Sequence, residues 1–197
     1  MSHYFISDPN LKSNLKELEF QYQGVNFKFL SDSGVFSKNE IDDGTITLLN
    51  AICKEQLGNS ILDLGCGYGT VGVIVKKLNN DLNVDMLDIN DKAIALAKNN
   101  CDLNNTNNNV FLSDGFLNVN NSYDAIITNP PIRAGKKVIY QMFEDSIKYL
   151  NSNGKLYVVM RKSHGAKSAI NKLNDIYGNC LMISKNKGFY VFCSKKL

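Results

Sequence analysis

The chain has 197 residues, 44% of them apolar and 21% charged, which is enough for one buried core and short for two. No apolar run is long enough to cross a bilayer, and Met1-Ser2-His3-Tyr4-Phe5 lacks the basic start of a secretory signal, so a cytoplasmic protein is expected. The net charge of +3 hides an asymmetry: residues 1–130 carry 9 Lys/Arg against 16 Asp/Glu, residues 131–197 carry 13 against 3, and this suggests either a basic face for a polyanion or merely solvated lysines.

Residues 1–16 are polar, with a turn at Asp8-Pro9-Asn10, and read as an arm. Leu18, Phe20 and Tyr22, then Phe27 and Phe29, alternate with polar residues on either side of Gly24, the pattern of a short hairpin. A loop through Ser33-Gly34-Val35-Phe36-Ser37-Lys38 precedes apolar positions at Ile46, Leu49, Ile52 and Cys53, whose spacing predicts a helix from about Ile41 to Leu57. From residue 60 strands and helices alternate. Strands are expected at Ser60–Leu64, Val84–Leu87, Val110–Leu112, Ala125–Thr128 and Lys155–Met160. Helices are expected at Val71–Leu78, Asp91–Leu103, Gln141–Leu150 and 165–178. A closing hairpin pairs Leu181–Ser184 with Gly188–Cys193 around Lys185-Asn186-Lys187-Gly188. Alternation of this kind implies an α/β fold with a mostly parallel sheet covered on both faces, and the terminal hairpin adds an antiparallel edge. Residues 1–40 are expected to pack as an extension on one domain spanning 41–197.

Two classes of ligand suit a glycine loop after the first strand of such a sheet, a dinucleotide or S-adenosylmethionine. Gly67-Tyr68-Gly69-Thr70-Val71-Gly72 fits the dinucleotide pattern G-x-G-x-x-G literally, but it starts two residues after the strand should hand over. Counted from Gly65, the third glycine falls on Thr70. Asp63 at the strand tip would repel a pyrophosphate and suits a ligand carrying an ammonium and a sulfonium. Asp88, closing the next strand, suits ribose hydroxyls, although dehydrogenases place an acid similarly. Asp114 in Ser113-Asp114-Gly115 could accept from an adenine amino group or simply cap a turn. Asp85 reads as a solvated charge, Asp91 as a helix N-cap, and the asparagine-rich stretch 104–109 as loop. Cys53, Cys66, Cys101, Cys180 and Cys193 lack the spacing of a metal or redox set, and no metal is expected.

Asn129-Pro130-Pro131-Ile132 follows the fourth strand, at the same sheet edge as the glycine loop. The exocyclic amino group of a base is a poor nucleophile because its lone pair is delocalised into the ring. Two acceptors gripping its hydrogens favour a pyramidal nitrogen and aim the lone pair. The Asn129 side-chain oxygen and the Pro130 carbonyl can serve, and prolines stiffen the loop without needing a ladder partner. The bland alternative is a proline-rich loop that ends a strand.

Asp63-x-Gly65-x-Gly67-x-Gly69 resembles the first motif of class I methyltransferases, and Asn129-Pro130-Pro131 the fourth motif of those acting on amino nitrogens. Gly34-Val35-Phe36-Ser37, with Asp42 and Gly44 ahead of a helix, and the run Asn129–Lys136 resemble the small-domain ribosomal RNA guanine-N2 methyltransferases. The resemblance implies a Rossmann-like three-layer sandwich with strand order 3-2-1-4-5-7-6 and methyl transfer from S-adenosylmethionine to guanine in 16S RNA. The implied cofactor residues are Asp63, Gly65, Cys66, Gly67, Gly69, Asp88, Ile89, Ser113, Asp114, Gly115 and Asn129. Asn129, Pro130 and Pro131 would be catalytic, and Phe36, Ile132, Arg133 and Lys136 would meet the substrate, with ribosomal RNA or the 30S subunit as partner and a monomer as the working form. Long members carry a degenerate second copy of the domain that this chain lacks, and Ile132 stands where an aromatic often stacks on the base. Phe36 is the substitute candidate, with core packing its alternative. Glutamine methylation of a protein release factor and a non-catalytic RNA-binding or ribosome-assembly module are the competing readings.

Overall fold

The computed structural model describes residues 14–35 and 37–197; the expected arm falls almost wholly outside them, and so does Phe36. Strands β1 (Lys16–Tyr22) and β2 (Val25–Ser31) form an antiparallel hairpin. Its two-residue turn places Gln23 and Gly24 at positive φ, the mirror-image turn that matches strand twist. The hairpin is a sheet of its own. The second sheet has seven strands: β3 (Ser60–Leu64), β4 (Asn83–Asp88), β5 (Asn109–Leu112), β6 (Tyr123–Thr128), β7 (Leu150–Arg161), β8 (Leu181–Asn186) and β9 (Phe189–Lys195). They lie in the order β5-β4-β3-β6-β7-β9-β8, with only β9 antiparallel to its neighbours β7 and β8. Numbered within this sheet alone, the order is 3-2-1-4-5-7-6.

Strand periodicity sorts the core onto two faces. Ile61 of β3, Ala125 and Ile127 of β6, and Tyr157 and Val159 of β7 pack with helices α1 (Asp43–Ile52), α2 (Thr70–Leu78) and α3 (Asp91–Leu103). The intervening Leu62, Leu64, Ile126, Leu156 and Val158 pack on the other face with α4 (Lys136–Ser146) and α5 (Ala166–Tyr177). Alternate residues point to opposite faces, so strands buried on both sides read as continuous apolar runs.

Two helix boundaries differ from expectation. Helix α1 stops at Ile52, because Lys54 and Glu55 turn their N–H groups onto Ala51 and Ile52 and Glu55 is drawn to Lys155 at 3.2 Å. Helix α4 starts five residues before Gln141 and ends at Ser146. Gly135 at φ 90° releases it from the preceding turn, and Leu150 is claimed by β7 opposite Tyr123. The cap of α3 is Asn90, whose side chain accepts from Lys92 and Ala93, and Asp91 lies inside the first turn. Asp85 is no bare surface charge: it accepts from Tyr123 at 2.7 Å and from Asn109 and Asn121.

Residues 104–108 are loop as expected, but Asn104 and, before it, Asn100 are structural. Asn100 is fully buried on α3; its Oδ1 accepts from Leu30 N at 2.6 Å, and its Nδ2 donates to Leu30 O at 2.9 Å and Tyr68 O at 2.8 Å. One turn on, Asn104 grips Lys28 in the same two-way fashion. Two side-chain amides at i and i+4 thus stand in for a neighbouring strand along the free edge of β2. Asn100→Ala takes this partner from one N–H and two carbonyls, and we expect it to cost about 2–4 kcal/mol, read as a lowered urea midpoint with an unchanged slope.

Candidate functional site

The ends of β3 and β6 are locked side by side. Their parallel register pairs Asp63 with Ile127, and the Thr128 hydroxyl donates to the Leu64 carbonyl at 2.8 Å. The residues that follow, Gly65 and Asn129, therefore emerge on neighbouring strands, about 5 Å apart in the ladder direction. Both open into one cavity of about 1890 Å³ at the carboxyl ends of the parallel strands. That exceeds the roughly 300–1,000 Å³ that holds one small ligand, so a cofactor and a second molecule fit together.

The turn after β3 is held by its own backbone. Gly65 and Cys66 donate to the Leu87 carbonyl at the tip of β4, and Gly67 donates to Asp88 Oδ2 at 2.8 Å. Gly65 and Gly67 have φ of 74° and 57°, and a Cβ on either would meet nothing within 4 Å. Their need is conformational, and both border open cavity space. Gly69 and Gly72 serve packing instead. A Cβ on Gly69 would lie 2.6 Å from the Met86 Cε, one on Gly72 would lie 2.5 Å from the Met86 sulfur, and neither glycine lines the cavity.

Gly72 also decides the ligand class. Its N–H, in the first turn of α2, donates to Asp63 Oδ2 at 2.8 Å. One of the donors that a pyrophosphate would seek at this helix start is thus taken by a carboxylate, whose charge would also oppose a phosphate, so the literal G-x-G-x-x-G does not fit a phosphate cradle. Asp63 is nearly fully buried, and burial, reinforced by the neighbouring Asp88, pushes its carboxyl up to about 7 against the opposing Gly72 hydrogen bond. Burial likewise raises the Asp88 carboxyl against backbone hydrogen bonds from Asn90 and Gly67. A cationic ligand relieves both. The residues present therefore fit S-adenosylmethionine: Asp63 for its positive charges, Asp88 for ribose, and Ile89, Ser113, Asp114 and Gly115 on the same wall for the adenine end.

Across the cavity the charge reverses. Carboxylates stand at the ends of β3, β4 and β5 (Asp63, Asp88, Asp114), whereas Arg133, Lys137 and Arg161 outnumber the single carboxylate of Asp145 on the side built after β6 and β7. Asn129, Pro130, Pro131 and Ile132 sit between the two. Arg133 is on this wall as expected. Lys136 is not, because its ammonium lies 5.0 Å over the Tyr140 ring and the next residue, Lys137, takes the cavity position. Sequence reasoning also missed Phe116 and Tyr149, stacked at 4.5 Å with 9° between planes, and exposed Leu117 beside them, which form an apolar wall beyond Asp114. It missed Thr45 too, whose hydroxyl oxygen accepts from Asn129 Nδ2 at 3.1 Å. Among the described residues no group of three His, Cys, Asp or Glu is arranged to hold a metal, and no helix is long and apolar enough to cross a membrane.

Residues 26–193 match the methyltransferase small domain family. A Bacillus subtilis protein carried as "Uncharacterized protein YbxB" is 39% identical over 99% of this chain and 98% of its own length. Ribosomal RNA small subunit methyltransferase C of Aliivibrio fischeri is 31% identical over 95% of this chain, which spans only 55% of that longer protein. Among solved structures, the Thermus thermophilus 16S rRNA N2 G1207 methyltransferase in complex with AdoMet and guanosine superimposes with a TM-score of 0.84. It covers 96% of this chain, and this chain covers 52% of it, at 21% identity.

Proposed function

The chain belongs to the methyltransferase small domain family and uses S-adenosylmethionine, and from that premise we propose that it methylates an exocyclic amino nitrogen, guanine N2 of small-subunit ribosomal RNA. The observation that carries this reading is the sharing of one cavity by Asn129-Pro130 and the acid-and-glycine turn, with cations on the outer side. The bound cofactor supplies an electrophilic methyl group on a sulfonium. The chain supplies position. The Asn129 Oδ1 and the Pro130 carbonyl accept the two amino hydrogens, which draws the nitrogen toward a pyramidal shape and turns its lone pair inward. The nitrogen sheds a proton once it bonds to carbon, because the cation formed is strongly acidic, so no strong base is needed beforehand. Rate comes from orientation and fixed dipoles. Arg133 and Lys137 answer phosphate oxygens beside a base turned out of its stack, and the Phe116–Tyr149 wall excludes water from the cofactor end.

The chain spans about half the length of the ribosomal RNA small subunit methyltransferases C that it matches, and we take the cationic wall after β6 and β7 as the surface that meets the RNA. Methyl-labelled cofactor incubated with 30S subunits, free 16S RNA and total cell protein should deliver label to the ribosomal RNA. Label confined to protein would favour glutamine methylation, and none at all, with the cofactor still bound, would favour a non-catalytic RNA-binding module.

A further inference from the structure

An amide has two faces, and only one of them can accept. If Asn129 presented its Nδ2 to the substrate, it would repel the amino hydrogens it is meant to hold. The first turn of α1 decides which face is shown. Asp42, the N-cap, spends Oδ1 on the backbone N–H groups of Gly44 and Thr45 at 2.9 and 3.2 Å. Its second oxygen, Oδ2, is not needed for capping and accepts the Thr45 hydroxyl at 2.5 Å. A hydroxyl has one proton, and here it goes to a carboxylate that has none to give. The Thr45 oxygen is thereby left only as an acceptor, and the Asn129 Nδ2 donates to it at 3.1 Å. Oδ1, which has no hydrogen bond among the described residues, is the atom left for the cavity. Gly44 keeps the arrangement closed, since a Cβ there would lie 2.8 Å from Asp42 Oδ1 and 2.8 Å from the Phe189 ring.

We propose that Asp42 and Thr45 are positioning residues that fix the polarity of the Asn129 amide, binding its Nδ2 inward so that Oδ1 accepts from the substrate. The inference rests on the amino-transfer reading, and Asp42→Asn separates it from a plain capping role. Asn caps a helix as well as Asp does. With Oδ1 still serving the backbone, however, the other atom becomes an Nδ2 that donates to Thr45. The Thr45 proton then turns toward Asn129, whose amide inverts and shows its NH₂ to the cavity.

The test measures kcat, KM for both substrates, cofactor affinity and melting temperature for Asp42→Asn, Thr45→Val, Thr45→Ser and Asn129→Ala, with S-adenosylmethionine and 30S subunits. Asp42→Asn and Thr45→Val should lower kcat by about ten- to a hundredfold, with KM, cofactor affinity and melting temperature near wild type. Thr45→Ser keeps the hydroxyl and should restore most of the rate. Wild-type turnover in Asp42→Asn and Thr45→Val beside an inactive Asn129→Ala would overturn the relay while leaving the transfer reading intact. Wild-type turnover in Asn129→Ala would overturn both. Losses of rate that track losses of melting temperature and cofactor affinity would assign Asp42 and Thr45 to the scaffold and also overturn it.

Discussion

Asn129→Ala is expected to lower methyl transfer by on the order of 10²–10³-fold, the scale for removing one fixed polar group that acts at the reacting centre, while cofactor affinity stays within about a factor of two, because the hydrogen bonds that set Asp63 and Asp88 do not involve the lost amide. The asymmetry follows from where the residue stands. Asp63, Asp88 and the Gly65–Gly67 turn come from β3 and β4, and their contacts to Gly72, Gly67 and Asn90 do not pass through Asn129. Among the described residues the Asn129 side chain hydrogen-bonds only to Thr45. Single-turnover transfer and cofactor calorimetry on the same preparation measure both quantities. Equal losses in the two would mean that Asn129 holds the cofactor rather than the acceptor.

The second large effect is a pH dependence of cofactor binding centred on Asp63. In the free protein its carboxyl is pushed up to about 7 by burial and by Asp88. An adjacent cation favours the ionised form, so the complex holds fewer protons and affinity rises with pH up to about 7, approaching tenfold per unit well below it. Above 7 the curve flattens. Folding runs the other way: the folded carboxyl titrates above its unfolded value of 3.8, so the folded chain binds more protons across that window. The stability contribution of this group is therefore full below pH 3.8 and lost as pH rises toward 7. Asp63→Asn keeps an acceptor for the Gly72 N–H, removes the charge, and should weaken cofactor binding at pH 8 on the order of ten- to a hundredfold, with a shallower pH profile that retains only the contribution of Asp88. Proton release measured by calorimetry in two buffers of different ionisation enthalpy reads the linkage directly; zero release at pH 6 in wild type would contradict it.

The sheet and the two site loops were readable because their signals are local. A strand, an acid and three glycines stand within ten residues, and Asn129-Pro130-Pro131 follows its strand directly, so parallel topology alone brings them to one edge. What the sequence did not disclose depends on distance or on phase. Thr45 meets Asn129 across 84 positions, and Asn100 meets Leu30 across 70, contacts that no window of periodicity can see. The resemblance put Lys136 at the substrate, with Lys137 nearby, but α4 already begins at Lys136, and its phase turns Lys137 to the cavity. The second and third glycine of the literal dinucleotide pattern, Gly69 and Gly72, proved to be spacers against Met86, a role that composition cannot distinguish from ligand contact. Asp85 looked solvated, and Asn104 looked like loop, for the same reason: their partners lie on other elements.

The central claim is that an acceptor pair on the loop after β6 directs a methyl group onto an exocyclic nitrogen. Nucleoside mass spectrometry of 16S RNA, digested after 30S subunits from cells lacking the gene are treated with the purified chain and S-adenosylmethionine, tests it most directly. The expected result is one additional N2-methylguanosine per RNA with the wild-type chain and none with Asn129→Ala. Methylation at a ring nitrogen or carbon, or N2-methylguanosine formed equally well by Asn129→Ala, would contradict it.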